Sequence, residues 1–253
     1  MTTTRRRFLK QALAASAAPA IALARAADKQ RTARVLLLTG IDYPGHLWTE
    51  TAPALAAQLR RDKRLQVEIV ETPEFLADPR LQGFDVVVFH WMNWEKPSPG
   101  EAARENFRKF VEGGKGLVLV HFACGAFQDW PEFRKIAGRV YDPKLPPHDP
   151  RGPYAVQITD PQHPITAGLK DFEADDELYT CLAGDAAIRI LATSKSKITG
   201  KDEPMAFVLE YGKGRVFHSP LGHDVKALTL PGVAELFRRG TAWAAGLDPV
   251  PAK

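Results

Sequence analysis

The chain has 253 residues, of which 34 are Lys or Arg and 30 are Asp or Glu, giving a formal net charge of +4. This length can bury one sizeable core, and 25% charged residues without repeats or low-complexity tracts exclude a disordered, collagen-like or coiled-coil protein. Two cysteines are too few for a disulfide scaffold, and no apolar run reaches the roughly 20 residues of a membrane-spanning helix.

The first 26 residues have the pattern of an export signal. Residues 5–10 read Arg-Arg-Arg-Phe-Leu-Lys, an Ala-rich apolar stretch follows, and Ala-Arg-Ala at 24–26 is a cleavage site of the A-x-A type. The paired arginines resemble a twin-arginine signal, which implies export of the folded protein to the periplasm or extracellular space. Removal of residues 1–26 leaves 29 basic and 30 acidic residues, a net charge of −1. Near-neutrality favours a small neutral ligand over nucleic acid.

From residue 34 onward, short apolar runs alternate with stretches of helical periodicity. The predicted strands of the first half are Val35–Leu38, Val67–Val70, Phe84–Phe89 and Leu117–Val120. The predicted helices between them are Thr49–Arg60 and Pro99–Glu112. Strand–helix alternation with fully apolar strands predicts an α/β fold with an open, mostly parallel sheet and helices on both faces.

The second half of the chain is less regular. Five prolines between residues 142 and 154 predict an irregular excursion. Strands are then predicted at Tyr154–Ile158, Ala187–Ala192, Met205–Tyr211 and Arg215–His218, and a final helix at Pro231–Ala245. The last two strands form a hairpin around Gly-Lys-Gly at 212–214, and Gly246 is a suitable helix C-cap. Nothing in the pattern indicates a second domain, so we expect residues 33–247 to fold as one.

Four of the seven histidines follow predicted strands. His46 comes after the first strand, His90 ends the third, His121 ends the fourth, and His223 follows the last, which itself ends at His218. In an open α/β sheet, ligands bind outside the carboxyl ends of the strands, so we expect these imidazoles to meet at one rim. A single histidine at such a position is commonly structural. Burial of four imidazoles without polar partners would cost free energy, which favours a functional pocket.

The segment Asp-Asp-Glu-Leu-Tyr at 175–179 supplies carboxylates from the second half of the chain. Glu177 is a candidate general acid or base if it lies near an imidazole, and a solvated acidic loop is the alternative. We expect His148, in the proline-rich excursion, to be exposed, and His163 to lie in a turn.

Cys124 follows the fourth strand, where α/β hydrolases and glutamine amidotransferases hold a nucleophile. The residues two before and two after it are Phe122 and Ala126, so the Gly-x-Cys-x-Gly elbow is absent. A small buried thiol is the favoured interpretation, with a nucleophile and a Cys124–Cys181 disulfide as alternatives. Nearby aromatic residues belong to the core or to the floor of a sugar site, namely Trp91, Trp94, Phe127 and Trp130.

Four segments together resemble the trehalose-utilisation, or ThuA-like, family: GIDYPGHLW, LVLVHFACGAFQDW, DPQHPITAGLKDFEADDELY and YGKGRVFHSPLGH. The resemblance implies a flavodoxin-like, class I glutamine amidotransferase-like fold and a role in carbohydrate metabolism, often beside oxidoreductases that make 3-keto sugars. It also implies a pocket of matching residues: His46, His121, Asp176, Glu177, Tyr179, Gly222 and His223. Aligned with an amidotransferase elbow by its glycine, the segment His121–Gly125 places Ala123, not Cys124, at the nucleophile position.

We therefore expect an exported ThuA-like protein that acts on a sugar or keto-sugar derivative as a hydrolase, lyase or isomerase. The candidate catalytic residues, which are also candidate ligands of a divalent metal such as zinc, are His46, His121, Glu177 and His223. The candidate substrate-binding residues are His90, Trp91, Asn93, Cys124, Asp176, Tyr179 and Gly222. The alternatives are a non-catalytic periplasmic carbohydrate-binding or accessory protein and a Cys-dependent amidase-like hydrolase. A homodimer is compatible with the sequence.

Overall fold

The computed structural model describes residues 31–41, 43, 45–94 and 96–250, so the predicted export signal lies outside the described residues. The strands are β1 (Ala33–Leu38), β2 (Leu65–Val70), β3 (Val86–Phe89), β4 (Gly116–Val120), β5 (Val140–Tyr141), β6 (Gly152–Ile158), β7 (Phe172–Asp176), β8 (Leu182–Ala183), β9 (Arg189–Lys195), β10 (Asp202–Tyr211) and β11 (Gly214–Ser219). The α-helices are α1 (Trp48–Leu59), α2 (Glu101–Glu112), α3 (Pro131–Ala137), α4 (Val225–Thr229) and α5 (Pro231–Ala244), and short 3₁₀ helices span Pro73–Ala77, Pro79–Gly83 and His121–Gly125.

One large sheet organises the described part of the chain. Its strand order is β2-β1-β3-β4-β11-β10-β9-β6-β7. The strands from β2 to β11 are parallel, and the remaining neighbours pair antiparallel. The direction changes at the β10–β11 hairpin, because a tight turn can join only antiparallel neighbours. The predicted open α/β sheet is confirmed, with parallel pairing confined to the half that contains the four predicted apolar strands.

Helices cover both faces of the sheet, as predicted. On one face the core includes Leu55 of α1, Leu228 of α4 and Phe237 of α5. On the other face it includes Phe107 of α2 and Phe133 of α3, together with leucines of the 3₁₀ helices. Every residue of β3 and β4 is buried, because both faces of these central strands are covered. Among the described residues, no helix is both long enough and apolar enough to cross a membrane.

One predicted strand is shifted, and several elements were not predicted. The strand expected at Ala187–Ala192 lies at Arg189–Lys195, and the unpredicted elements include β5, β7, β8 and α4. The sequence of β7, Phe-Glu-Ala-Asp-Asp, has no apolar run, yet Ala174 and Asp176 point into the protein and are buried. Because an aspartate, Asp176, occupies an inward position of β7, the sequence pattern did not indicate a strand here.

The parallel half of the sheet has a topological switch point. From β1 the chain crosses to β2 on one side, while β3 and β4 follow on the other side. This arrangement opens a crevice beyond the carboxyl ends of the strands, where open α/β sheets bind ligands. The loops after β1, β4 and β11 end at this crevice and carry the histidines described next.

Candidate functional site

Four side chains from separate loops converge beyond the carboxyl ends of the strands. They are His46 after β1, His121 directly after β4, Glu177 directly after β7, and His223 four residues after β11. Each offers one ring nitrogen or carboxylate oxygen, and these atoms all lie within 4.8 Å of one another. The predicted convergence of these four residues is thus present in the structure, although β7 brings Glu177 from the antiparallel half of the sheet.

The contacts between these four residues are short. His46 Nε2 lies 3.0 Å from His121 Nε2 and 3.1 Å from His223 Nδ1. A carboxylate oxygen of Glu177, Oε2, lies 3.3 Å from His223 Nδ1 and 3.5 Å from His121 Nε2. The hydroxyl of Tyr179 is 3.0 Å from His121 Nε2. His121 Nε2 therefore lies at the centre of the group.

The backbone and ring of His121 are both held in a defined state. Its φ of +48° is in the left-handed region, which costs a non-glycine residue roughly 1–3 kcal/mol. Its Nδ1 lies 2.7 Å from the carbonyl oxygen of Pro220. Because a carbonyl only accepts, Nδ1 carries the proton, and the lone pair of Nε2 faces His46 and Tyr179 in the neutral ring. The strained turn after β4 thus directs the His121 ring towards His46, Glu177 and Tyr179.

Asp176 holds two of the site loops together from beneath. Its buried carboxylate accepts hydrogen bonds from the backbone N–H groups of Gly222 at 2.6 Å, Glu177 at 2.8 Å and His223 at 3.2 Å. Gly222 has a φ of +110°, which favours glycine at this turn. Burial raises the pKa of Asp176, whereas His121 and the three N–H groups oppose that rise. Asp176 and Gly222 therefore support the site from outside the cavity lining.

The ionisable groups are strongly coupled. Burial alone would raise the pKa of Glu177, but hydrogen bonds to His121 and His223 outweigh it and hold this pKa far below its usual range. The same contact with Glu177 raises the pKa of His223. Burial raises the pKa of Tyr179 well above its ordinary value, so its hydroxyl remains protonated at neutral pH. The site thus combines a carboxylate anion, clustered imidazoles and a phenolic donor.

The four residues adjoin a cavity of about 380 Å³. His46, Glu177 and His223 line it directly. Its other lining residues are Tyr43, Gly45, Met92, Trp94, Phe122, Cys124, Tyr141, Pro147, His148, Tyr179 and Cys181. Aromatic rings form much of the lining, together with a few polar groups, an arrangement typical of small-molecule sites.

The family of the chain follows from sequence comparison. Residues 34–244 match the family model described as "ThuA: Trehalose utilisation". The chain belongs to the ThuA family. No curated protein sequence matches it significantly. The predicted membership is thus confirmed over nearly the whole described chain.

Solved structures are similar to this chain in fold. A ThuA-like protein from Parabacteroides merdae is 27% identical, with a TM-score of 0.78 over 88% of this chain and 93% of that one. A second, from Bacteroides uniformis, is 18% identical, with a TM-score of 0.68 over 87% and 95%. The chain is also similar to a glutamine amidotransferase from Thermotoga maritima at 14% identity, with a TM-score of 0.49 over 76% of each chain. The full-length match with the first two confirms the fold.

His148 is one cavity residue of this ThuA-family protein that its sequence did not reveal. Its ring is about one third exposed, and its Nε2 lies 3.7 Å from Glu177 Oε1. Its Nδ1 donates to the carbonyl of Asp149 at 2.7 Å, which leaves the Nε2 lone pair free in the neutral ring. The Asp149 carboxylate anchors this loop by accepting hydrogen bonds from Ser196 and Lys197. No local motif signals these long-range contacts.

Five predicted substrate-binding residues lie outside this cavity: Asp176 and Gly222, described above, and His90, Trp91 and Asn93. His90 and Trp91 are fully buried, and His90 Nδ1 contacts Thr39 Oγ1 at 3.2 Å. Asn93 uses its side chain to hold loops, since it donates to Ser98 and accepts from the backbone N–H of Phe127. The burial of His90, Trp91 and Asn93, and the hydrogen bonds of His90 and Asn93, follow from their place at the end of the central strand β3 and in the segment just after it.

The two cysteines, Cys124 and Cys181, are free, buried thiols that line the cavity. Burial raises the pKa of Cys124 well above its ordinary value and that of Cys181 to about 12. A protonated thiol is a poor nucleophile, because the thiolate is the reactive species. Both thiols therefore act as small buried lining residues of the cavity. Cys124 and Cys181 do not form the alternative disulfide in the structure.

Proposed function

We propose that this ThuA-family protein is an exported metal-dependent enzyme that acts on a sugar or keto-sugar derivative. The metal ligands in this proposal are His46, His121, Glu177 and His223. The substrate would bind in the adjoining cavity, whose aromatic side chains suit the apolar face of a sugar ring.

The distances between the four donor atoms support a metal site. Zinc binds nitrogen and oxygen at about 2.0–2.2 Å, so two ligands of a tetrahedral site lie about 3.3 Å apart. Four of the six donor–donor separations, at 3.0, 3.1, 3.3 and 3.5 Å, surround that value, and all six lie within 4.8 Å. One ion would satisfy the lone pairs of three imidazoles and the charge of Glu177 together.

The surroundings of the ligands support the same proposal. Metal-binding histidines commonly donate their second ring nitrogen to a carbonyl or carboxylate, which fixes the tautomer. His121 does so through the carbonyl of Pro220. Asp176 fixes the backbone of Glu177 and His223, so two ligands share one buried anchor. Three nitrogen ligands and one carboxylate suit zinc or a neighbouring divalent transition metal.

The proposed chemistry is activation of a substrate carbonyl or a bound water. A divalent ion polarises a carbonyl oxygen and stabilises the negative charge that develops on it when a proton is removed from the adjacent carbon. The Tyr179 hydroxyl lines the cavity 3.0 Å from His121 Nε2 and would donate to that oxygen once Nε2 holds the ion. His148 presents its Nε2 to the same cavity and would accept the proton. Elimination and isomerisation of a keto-glycoside both begin with such a step, and hydrolysis does so when elimination is followed by addition of water.

The export signal fits a metal-loaded protein. Twin-arginine substrates cross the membrane folded, so the ion would be bound before export. Substitution of Arg5 and Arg6 by lysine is expected to leave the protein in the cytoplasm, measured by fractionation with the unchanged chain as control. Export of the double variant at the normal level would remove this part of the proposal.

Metal analysis combined with turnover tests the central proposal. Purified protein is expected to contain one divalent ion per chain and to convert 3-keto-glycosides, and His121→Ala and Glu177→Ala are expected to lose both properties. His163→Asn is a matched control, because asparagine can replace the acceptor that His163 Nδ1 offers to the Ile165 N–H. Metal-loaded protein that binds sugars without turnover would indicate a non-catalytic carbohydrate-binding protein instead.

A further inference from the structure

We infer that a second binding subsite lies beside the cavity and holds a hydroxyl-bearing second unit of a glycoside substrate. The subsite is a groove of about 530 Å³, and this inference rests on the proposed function. Its polar lining residues are Asn93, Lys96, Ser98, Gln128 and Asp129. The position of the groove, the rigidity of its aromatic wall and its unused polar groups each support the inference.

The groove and the cavity share one wall. Trp94 and Tyr141 line both spaces, and their ring centroids are 4.5 Å apart. A ligand that extends out of the cavity past this aromatic pair therefore enters the groove. A sugar in the cavity would have its neighbouring unit on the far side of Trp94.

Trp94 forms a rigid wall although 40% of its surface is exposed. Gly125 lies against the indole, where a Cβ atom would be only 2.7 Å from Trp94 Nε1. Tyr43 packs edge-on at a centroid distance of 5.2 Å, and Tyr141 contacts another side. An exposed tryptophan that is held on several sides offers a fixed aromatic face, which lowers the entropic cost of binding a sugar ring.

The groove also contains polar groups that can form further hydrogen bonds. The exposed side chains of Lys96 and Gln128 make no hydrogen bond or ion pair within the described part of the chain. The Asp129 carboxylate is fixed by Ser98 and Arg104, each at 2.5 Å, and retains acceptor capacity. Donors and a fixed acceptor side by side match hydroxyl groups, which both donate and accept. Asp129 makes the groove unfavourable for a phosphate.

Binding measurements with matched ligands test the inference without requiring turnover. The ligands are the 3-keto derivative of a glucose disaccharide and the methyl 3-keto-glucoside, titrated calorimetrically into the full chain as purified. We expect the disaccharide derivative to bind about tenfold more tightly. Lys96→Ala and Gln128→Ala are each expected to weaken its binding roughly three- to tenfold and to leave methyl glucoside binding within twofold.

Two exposed residues distant from the site provide controls. Lys63→Ala and Gln66→Ala, next to and within the edge strand β2, are expected to change neither affinity. Equal affinities of the wild type for the two ligands, or an unchanged preference in both groove variants, would overturn the subsite. Failure of the metal-site proposal has a different signature: absence of metal and turnover while the disaccharide preference persists.

Discussion

Two groups of histidines at the carboxyl ends of the strands have different environments. His46, His121 and His223 turn their ring nitrogens towards one another and towards Glu177. His90 and His218 are fully buried away from this group, with Nδ1 contacts to the Thr39 hydroxyl and the Ala137 carbonyl. Burial lowers their pKa values to about 3 and about 4. Histidines near strand ends thus form a polar cluster in the first group and belong to the protein interior in the second.

The difference arises from backbone context. His218 lies within β11, and the backbone N–H of His90 still bonds to Leu38 of the neighbouring strand, so both side chains follow the pleat of a sheet covered on both faces. His121 follows β4 with a positive φ, and His46 and His223 lie in loops. A histidine at a strand end reaches the crevice when its backbone has left the sheet.

The largest expected effect is the removal of a central ligand. His121→Ala should lower kcat/KM on a keto-glycoside at least about 10³-fold, or about 4 kcal/mol of transition-state stabilisation, because the metal and its charge are lost. Steady-state kinetics and metal content measure this effect. The control His163→Asn should retain activity within about twofold. Equal losses in the two variants would contradict a specific role for His121.

Asp176→Asn tests the anchor beneath the centre. Replacement of the carboxylate weakens the hydrogen bonds to Gly222 and His223, so metal affinity should fall about 10- to 100-fold, measured by competition with a chelator. Asp175→Asn is the matched neighbour, since Asp175 pairs with Lys226 at the surface. An equal loss in the Asp175 variant would show that the effect is not specific to the anchor.

The buried histidines should instead govern acid stability. Because the folded-state pKa of His218 is lowered to about 4 from an unfolded value near 6.5, the unfolded state binds more protons in this window. Its contribution is present above pH 6.5 and is lost as the pH falls towards 4, at up to about 1.4 kcal/mol per pH unit. Urea unfolding between pH 7 and 5 should therefore show a shallower pH dependence in His218→Gln than in the wild type. An unchanged slope would contradict this assignment.

The smallest expected effect concerns the thiol beside the centre. Cys124→Ser should retain activity within about threefold, because a buried, protonated thiol acts as a lining residue. A loss comparable with that of His121→Ala would restore the Cys-dependent hydrolase as an explanation.

The sequence predicted much of the fold and the core of the site. The apolar runs of β1, β3 and β4 located the central strands, and their ends located His46, His121 and His223. The sequence could not distinguish these three histidines from the buried His90, because the direction of each side chain depends on where the backbone leaves the sheet. It also missed β7 and His148, whose places are set by the buried Asp176 and by Asp149 contacts distant in sequence.

Anomalous diffraction from crystals of the zinc-loaded protein, measured at the zinc absorption edge, tests the central claim most directly. We expect one strong peak per chain, about 2.0–2.2 Å from His46 Nε2, His121 Nε2, Glu177 Oε2 and His223 Nδ1. The peak should be absent in His121→Ala crystals and unchanged in His163→Asn crystals. A wild-type map without a peak at these four atoms, or with zinc bound only elsewhere, would contradict the account.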